Sequence, residues 1–316
     1  MTPKGGRVGP PRISVLLPTH NRADVVGWAI ESALGQTRGD FELLVMGDGC
    51  TDNTAAVVGT FTDPRVRWFD FPKAPGVGYA NRNRALREAQ GELIAYLAHD
   101  DLWLPDHLER LAGALAAAGV ELAYSQPLDV ARDGRITPQI FNLNDPYTWQ
   151  WWRTKHIGYL PVCAVMHRAE CLAKYGMWSE RLIRGGDWEL WMRFIEGGGR
   201  RNFAYLPVPT TLHFIADWRR GTETWRRRLW RWLRDREEAD LPKLKVPVPP
   251  GTTEQEAVWA AMRGAPEDWT QAVRRAAQVD VDRRATALVR GSTVVEWAVR
   301  SYRRVRPYYK QWPRDP

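Results

Sequence analysis

Leu93-Ile94-Ala95-Tyr96-Leu97-Ala98-His99-Asp100-Asp101 is an apolar run that ends on two adjacent carboxylates. Its apolar residues read as a strand buried on both faces. Asp100 and Asp101 at the strand end repel each other, and they stay ionised only beside a cation or with good access to water. A metal ion carrying a phosphorylated substrate would satisfy both. A solvated turn leading into a helix at Leu104-Pro105-Asp106 accounts for the pair as well. The surrounding sequence has to choose between them.

Working outward, Ile13-Ser14-Val15-Leu16-Leu17 and Glu42-Leu43-Leu44-Val45-Met46 are two more short apolar strands, closed by Pro18 and by Gly47-Asp48-Gly49. Val66 to Phe71 is a shorter, more exposed strand. Between them, Ala23 to Gln36, a segment from Thr51-Asp52-Asn53-Thr54 to about Thr60, and Gly78 to Gln90 carry helical spacing or helix-start signals. Strand and helix alternate with short connections, which predicts an α/β domain with a mostly parallel sheet flanked by helices. Ligands of such sheets bind beyond the carboxyl ends of the strands. Pro18 to Arg22, Asp48 and Asp100-Asp101 all fall there, so the sequence predicts one cleft.

Further along, Leu108 to Ala118 reads as a helix, and Leu122-Ala123-Tyr124 and Pro161 to Met166 as strands. Asp129 to Gly158 reads as irregular and Trp-rich, Asp187 to Glu196 as a helix, and Tyr205-Leu206-Pro207-Val208 as an edge strand on account of its prolines. After about Asp217 the character changes to an Arg-laden amphipathic helix around Trp225 to Leu233, a Pro-rich linker over Lys243 to Pro250, and helices over Glu254 to Arg263, Pro266 to Ala277 and Thr293 to Val305. The expected organisation is a catalytic domain over 12–217 and a mainly helical C-terminal extension over 218–316.

The chain has 316 residues, 44% hydrophobic and 26% charged, enough for one large core or two small ones. Three cysteines, Cys50, Cys163 and Cys171, give no paired framework. Met1 to Pro11 lacks the apolar core of a secretory leader, so a reducing, cytoplasmic setting is expected. The net charge of +8 favours an anionic partner, and 17 tryptophans suit stacking on bases or sugars as well as membrane interfaces. No helix-turn-helix, zinc-finger or RNA-recognition signature is visible, and acids dilute the late Arg cluster, so no nucleic-acid partner is expected. Gly76-Val77-Gly78 neither follows the first strand nor carries a third glycine, which argues against a dehydrogenase.

Five motifs in order carry a resemblance. Pro18-Thr19-His20-Asn21-Arg22, Val45 to Thr54, Gly78-Tyr79-Ala80-Asn81-Arg82-Asn83, Ala98-His99-Asp100-Asp101 and Gly186-Asp187-Trp188-Glu189-Leu190-Trp191 resemble the successive motifs of family 2 glycosyltransferases with the GT-A fold. The resemblance covers roughly residues 12–215. It implies an inverting transfer of a sugar from a nucleoside-diphosphate donor, UDP- or dTDP-linked, to a hydroxyl on a carbohydrate, lipid-linked or small-molecule acceptor. Such chemistry serves cell-surface polysaccharide or glycolipid synthesis.

The site residues follow from the matched positions. Pro18, Thr19, Asn21, Arg22, Asp48, Arg82 and Asp100 are expected to bind the nucleotide sugar. A carboxylate such as Asp48 can accept a base imide N–H, and a guanidinium such as Arg82 suits a diphosphate. Asp101, Asp100 and His213 are expected to hold Mg²⁺ or Mn²⁺. Asp187 is the expected general base, with Glu189 as competitor; two residues apart on a helix point about 200° apart, so both cannot serve. Three positions depart from the family pattern: Gly47, Ala98 and Gly186 stand where acids are usual. A catalytically impaired homologue and a nucleotidyltransferase with the same cleft are the alternatives. Cys163, His167 and Cys171 repeat every four residues, but a strand there and a missing fourth ligand argue against a soft-metal site. Arg300 to Pro316 holds six basic residues and one acidic, interleaved with Tyr302, Tyr308, Tyr309 and Trp312, and admits peripheral membrane contact.

Overall fold

The structure is a computed structural model and describes residues 11–155, 159–199, 202–215 and 244–290. Strands β1 (Ile13–Thr19), β2 (Phe41–Asp48), β3 (Val66–Phe71) and β4 (Leu93–Tyr96) pair parallel in the order β3-β2-β1-β4. Helices α1 (Val26–Leu34), α2 (Thr54–Gly59) and α3 (Tyr79–Leu86) make the crossovers. Every residue of β2 and of β4 is buried, as a run without polar alternation requires when helices cover both faces. One apolar layer joins Val15, Leu17 and Val45 to Val26, Ile30 and α4 (His107–Leu115). The other joins Leu16, Leu44 and Met46 to Tyr79, Leu190 and Phe194, the last two from α7 (Gly186–Gly198).

Beyond β4 the pairing is mixed. The long strand β6 (Leu122–Val130) lies parallel to β9 (Phe203–Phe214) but antiparallel to β7 (Arg135–Pro138) and β8 (Val165–Arg168). β8 also pairs antiparallel with β4, and the short β5 (Leu102–Trp103) pairs antiparallel with β9. The expected edge strand at Tyr205 to Val208 is part of a twelve-residue strand that pairs with β6 there and gains a second neighbour, β5, only at Thr211 and Leu212. Its prolines are tolerated because the β6–β9 register shifts at Ser125/Gln126 and Gln126/Pro127, beside them. The stretch expected to be irregular holds β7 and the helix α5 (Pro146–Lys155). The expected strand at Pro161 to Met166 opens instead as a 3-10 turn at Val162–Ala164, and α6 (Glu170–Tyr175) follows β8.

The Pro-rich segment after Lys243 is more than a linker. β10 (Leu244–Lys245) adds to β7, and Val246 is buried so closely that a side chain at Gly134 would meet its carbonyl. Helices α8 (Glu254–Gly264) and α9 (Pro266–Arg290) then pack onto the sheet through Val258, Met262, Val273 and Ala277, against Leu102, Leu128, Val130 and Phe214. Arg274 grips Asp106 with two bonds of 2.5 and 2.8 Å and also donates to the Pro209 carbonyl. The expected domain boundary at 217/218, the Trp225 to Leu233 helix, the Thr293 to Val305 helix and the basic tail lie outside the described residues.

Candidate active site

The rim above β1 and β2 is sewn together by its own side chains. Asn21, held in the left-handed region at φ 50°, accepts from the Thr51 backbone at 2.8 Å, and the Arg22 amide donates to Thr54 Oγ1 at 2.9 Å. Asp52 accepts from Thr54 and from the Ala23 amide. Pro18 accepts from His99 Nδ1 at 3.1 Å through its carbonyl. Thr19 is buried, and its hydroxyl has no partner among the described residues. The Arg22 guanidinium bonds Asp24 and approaches Asp100 Oδ2 at 3.9 Å.

Asp48 ends β2 and is already engaged. It accepts from Lys73 Nζ and Asn81 Nδ2, both at 2.7 Å, and from the Ala74 amide at 2.9 Å. A carboxylate offers about four lone-pair sites, so one on Oδ2 remains for a ligand. Gly78, at φ 79°, caps α3 so close to this carboxylate that a Cβ there would lie 2.6 Å from Oδ2. Only glycine meets both requirements.

Arg82 projects from the first turn of α3, with its guanidinium 4.8 Å from the Trp178 ring centre and 5.2 Å from that of Tyr79. Its Nε is buried without an acceptor, and no carboxylate pairs with it among the described residues. Burial pulls its pKa below the ordinary guanidinium value, while Tyr79 and Asp187 pull the other way. It remains a cation, held on aromatic faces and lacking an anion.

The structure separates Asp187 from Glu189. Glu189 forms an ion pair with Arg193 through bonds of 2.6 and 3.0 Å, and Arg193 also donates to the carbonyls of Tyr175, Gly176 and Met177. Glu189 is thus occupied in fixing the approach to α7. Asp187 stands half-buried in the first turn of α7, and no donor bonds it among the described residues. The helix cap is Gly185, so capping does not account for Asp187.

Two of the departures from the family pattern are filled by aromatic rings. A Cβ on Gly47 would lie 2.5 Å from the Trp68 ring, and one on Gly186 would lie 2.6 Å from that of Tyr79. The Gly186 amide donates to the Tyr79 hydroxyl at 2.7 Å, and the Tyr79 ring stacks on Trp178 at 5.2 Å. The start of α7, and with it Asp187, is tied to the helix that carries Arg82.

Asp101 and Asp100 part company. Asp101 is 1% exposed and accepts from His213 Nδ1 at 3.0 Å and from the Phe214 amide at 3.0 Å. Burial opposes charge on His213, but Asp101 overrides it and raises the imidazole to about 9. Cys163 Sγ joins them: one ligand atom each from Asp101, Cys163 and His213 lies within 4.8 Å of the others. Burial, and then Asp101, push this thiol well above its ordinary pKa. Asp100 is outside this convergence. Its carboxylate faces Arg22 and His99, each at 3.9 Å, and its carbonyl accepts from Gln255 of α8 at 3.4 Å. A carboxylate and an imidazole that already converge fit a divalent cation, so the expected pair Asp101–His213 is brought together and Asp100 is not.

The residues that sequence reasoning passed over are Lys73, Asn81, Tyr79, Cys163 and Gln255. Asn81 and Tyr79 lie inside a quoted motif and needed only the helix phase. Cys163 was weighed with His167 and Cys171, but His167 bonds Tyr96 and Cys171 bonds the Glu121 carbonyl, so that trio never meets. No local signal links Cys163 or Gln255 to the strand-end carboxylates.

The model of "Glycosyl transferase family 2" matches residues 14–172. "Succinoglycan biosynthesis protein ExoO" of Rhizobium meliloti is 38% identical over 125 residues, which is 40% of this chain and 36% of that protein. "UDP-Glc:alpha-D-GlcNAc-diphosphoundecaprenol beta-1,3-glucosyltransferase WfgD" of Escherichia coli is 34% identical over 112 residues, 35% of this chain and 44% of that one. The match thus spans less than half the length of either relative. Among solved structures, S. aureus TarS 1-349 in complex with UDP-GlcNAc aligns with a TM-score of 0.54 at 19% identity, over 67% of this chain and 60% of that one. The mannosyltransferase PcManGT from Pyrobaculum calidifontis, in complex with GDP-Man and Mn²⁺, aligns with a TM-score of 0.50 at 18% identity, over 95% of this chain and 82% of that one. These likenesses show the fold, the GT-A architecture expected from the motifs.

Proposed function

The chain belongs to glycosyl transferase family 2, and from that premise we propose that it transfers a sugar, with inversion, from a UDP- or dTDP-linked donor to an acceptor hydroxyl. The carrying observation is Arg82: a half-buried guanidinium on two aromatic faces, with an orphaned Nε and no carboxylate partner among the described residues. A desolvated cation of this kind is stabilised by an anion that arrives with the substrate, and a diphosphate matches its fork.

The other residues take roles around that anchor. Asp48 and the sewn turns of Pro18 to Arg22 and Thr51 to Thr54 form a rigid floor for the nucleoside, with the remaining acceptor site of Asp48 for the base. Asp187 has no donor bonded to it among the described residues and stands on a helix tied to α3, so it takes the acceptor proton as the hydroxyl attacks the anomeric carbon. Asp101 and His213 would hold a divalent cation, which would neutralise charge developing on the leaving diphosphate. A growing polysaccharide or a lipid-linked sugar as acceptor is supported by the names of the relatives above. No helix among the described residues is long and apolar enough to cross a membrane. Contact with a lipid-bearing acceptor at the membrane surface would fall to the basic tail.

The test is product analysis with a panel of nucleotide sugars. Release of a free nucleoside diphosphate and a product of inverted anomeric configuration is expected. Pyrophosphate would indicate nucleotidyl transfer instead. Binding of a nucleotide sugar without release of either, across a full acceptor panel, would mark an impaired homologue.

A further inference from the structure

Cys163 has no part in the glycosyl-transfer reading, yet it occupies the most chemically loaded spot in the cleft. It sits in the 3-10 turn Val162–Ala164, fully buried. Its backbone is fixed: the carbonyl accepts from Trp103 Nε1 at 2.8 Å, and the Ala164 amide closes onto Pro161. The turn therefore holds its sulfur beside Asp101, on the loop after β4, and His213, near the end of β9. The three ligand atoms come from three separate segments and lie within 4.8 Å of one another. A tetrahedral ion with bonds of 2.0–2.3 Å spaces its ligands roughly 3.3–3.8 Å apart, so a contraction of about an ångström closes the set. The cluster is not sealed, since the His213 side chain keeps 20% of its surface exposed.

We propose that Cys163 Sγ is a third protein ligand, with Asp101 and His213, of the divalent cation in this cleft, and that the site selects a thiophilic transition-metal cation over Mg²⁺. One oxygen, one nitrogen and one sulfur ligand leave a fourth position open, the arrangement of a working rather than a structural site. Thiolate and imidazole favour Zn²⁺ or Co²⁺ over Mg²⁺, which prefers an all-oxygen shell of near-ideal octahedral geometry. The position of Asp100 agrees: the second carboxylate that an oxygen-rich site would recruit is turned to Arg22 and His99. Binding exchanges the thiol proton, and the proton His213 shares with Asp101, for the metal bonds, and both protons pass to solvent. No oxidation is involved.

The inference rests on the reading of this cleft as a cation site, and its test is spectroscopic and needs no sugar donor. Full-length protein is freed of metal by chelation and titrated with Co²⁺. A thiolate-to-cobalt charge-transfer band in the near ultraviolet should grow and saturate at one equivalent. Zn²⁺ should displace it, whereas Mg²⁺ at about a hundredfold higher concentration should not. Cys50→Ala and Cys171→Ser should keep the band. Cys163→Ser should lose it and bind Co²⁺ at least about tenfold more weakly. The wild-type spectrum decides even if Cys163→Ser does not fold. Co²⁺ binding without a charge-transfer band, no Co²⁺ binding at all, or easy displacement by Mg²⁺ would overturn the proposal. A protein that shows the band but releases no nucleoside diphosphate keeps this inference and loses the glycosyl-transfer reading. One that releases nucleoside diphosphate without the band does the reverse.

Discussion

In the half-sheet β3-β2-β1-β4 every neighbouring pair is parallel, and the groups that meet above it come from adjacent crossovers: Asn21 with Thr51, Arg22 with Thr54, Asp48 with Lys73, Ala74 and Asn81. In the half built on β6, β8 and β9 the pairing is mixed, and the partners around Asp101 arrive from far away, His213 from 112 residues on. The first half spends its polar groups on one another and becomes a stiff floor. The second half leaves groups facing a space: Asp187 with no donor bonded to it among the described residues, Arg82 turned toward it from α3, and the Asp101–Cys163–His213 convergence. Polar groups close on one another in one half and converge on open positions in the seam with the other.

Acid should expose the contrast most strongly. His107, on the helix packed over the mixed half, bonds Thr210 at 2.7 Å, and His167, in β8 of that half, accepts from Tyr96 at 2.8 Å; both are fully buried. Burial pushes them down to about 3 and about 4. An unfolded histidine titrates near 6.5, so a group depressed below that value stabilises the fold above about pH 6.5 and loses this contribution as pH falls toward its folded pKa. At pH 5 each should cost about 2 kcal/mol. Denaturant melts at pH 7 and pH 5 should show that loss, and His167→Gln should halve it. A pH-independent midpoint over this range would break the comparison.

Arg82→Met should act in opposite directions on stability and function. Removing a charge-assisted bond to a diphosphate costs about 1.5–3 kcal/mol, or roughly ten- to a hundredfold in donor affinity. Removing a desolvated cation without a counterion should raise the melting temperature. A variant that loses stability and keeps donor affinity would make Arg82 part of the floor.

The two filled glycines offer the finest comparison. Gly186→Ala drives a methyl into the Tyr79 ring, which is held by Trp178 and by the Gly186 amide, so overpacking should cost about 1–3 kcal/mol. Gly47→Ala meets Trp68, half-buried on β3 at the sheet edge, and should cost less because that ring can yield. Thermal melts of both variants rank them. Equal costs would remove the distinction between a clamped and a yielding ring.

The parallel half was legible in the sequence for a physical reason. Its strands are continuous apolar runs, short helices connect them, and its ligand groups sit immediately after strand ends. That Asp187 and Glu189 cannot both face one site was legible from helix geometry; the resemblance chose Asp187, and the structure pairs Glu189 with Arg193. The mixed half was not. β9 looks like a short edge strand because its prolines break the pattern, and only the β6 register shifts reveal why they fit. Cys163 carries no motif, since its place beside Asp101 is set by a 3-10 turn that an apolar stretch disguises as a strand. Arg82 was found by resemblance, but the lack of a carboxylate partner for it among the described residues is a property of the packed fold alone.

The most direct test of the central claim compares Asp187→Asn with wild type in two measurements on the same preparation: calorimetric binding of the nucleoside-diphosphate sugar, and single-turnover release of the nucleoside diphosphate in the presence of acceptor. If Asp187 is the base of a site whose donor is held elsewhere, donor affinity should stay within about twofold while turnover falls by about 10²–10⁴. Turnover at the wild-type rate with affinity unchanged would contradict the account and take the base out of α7.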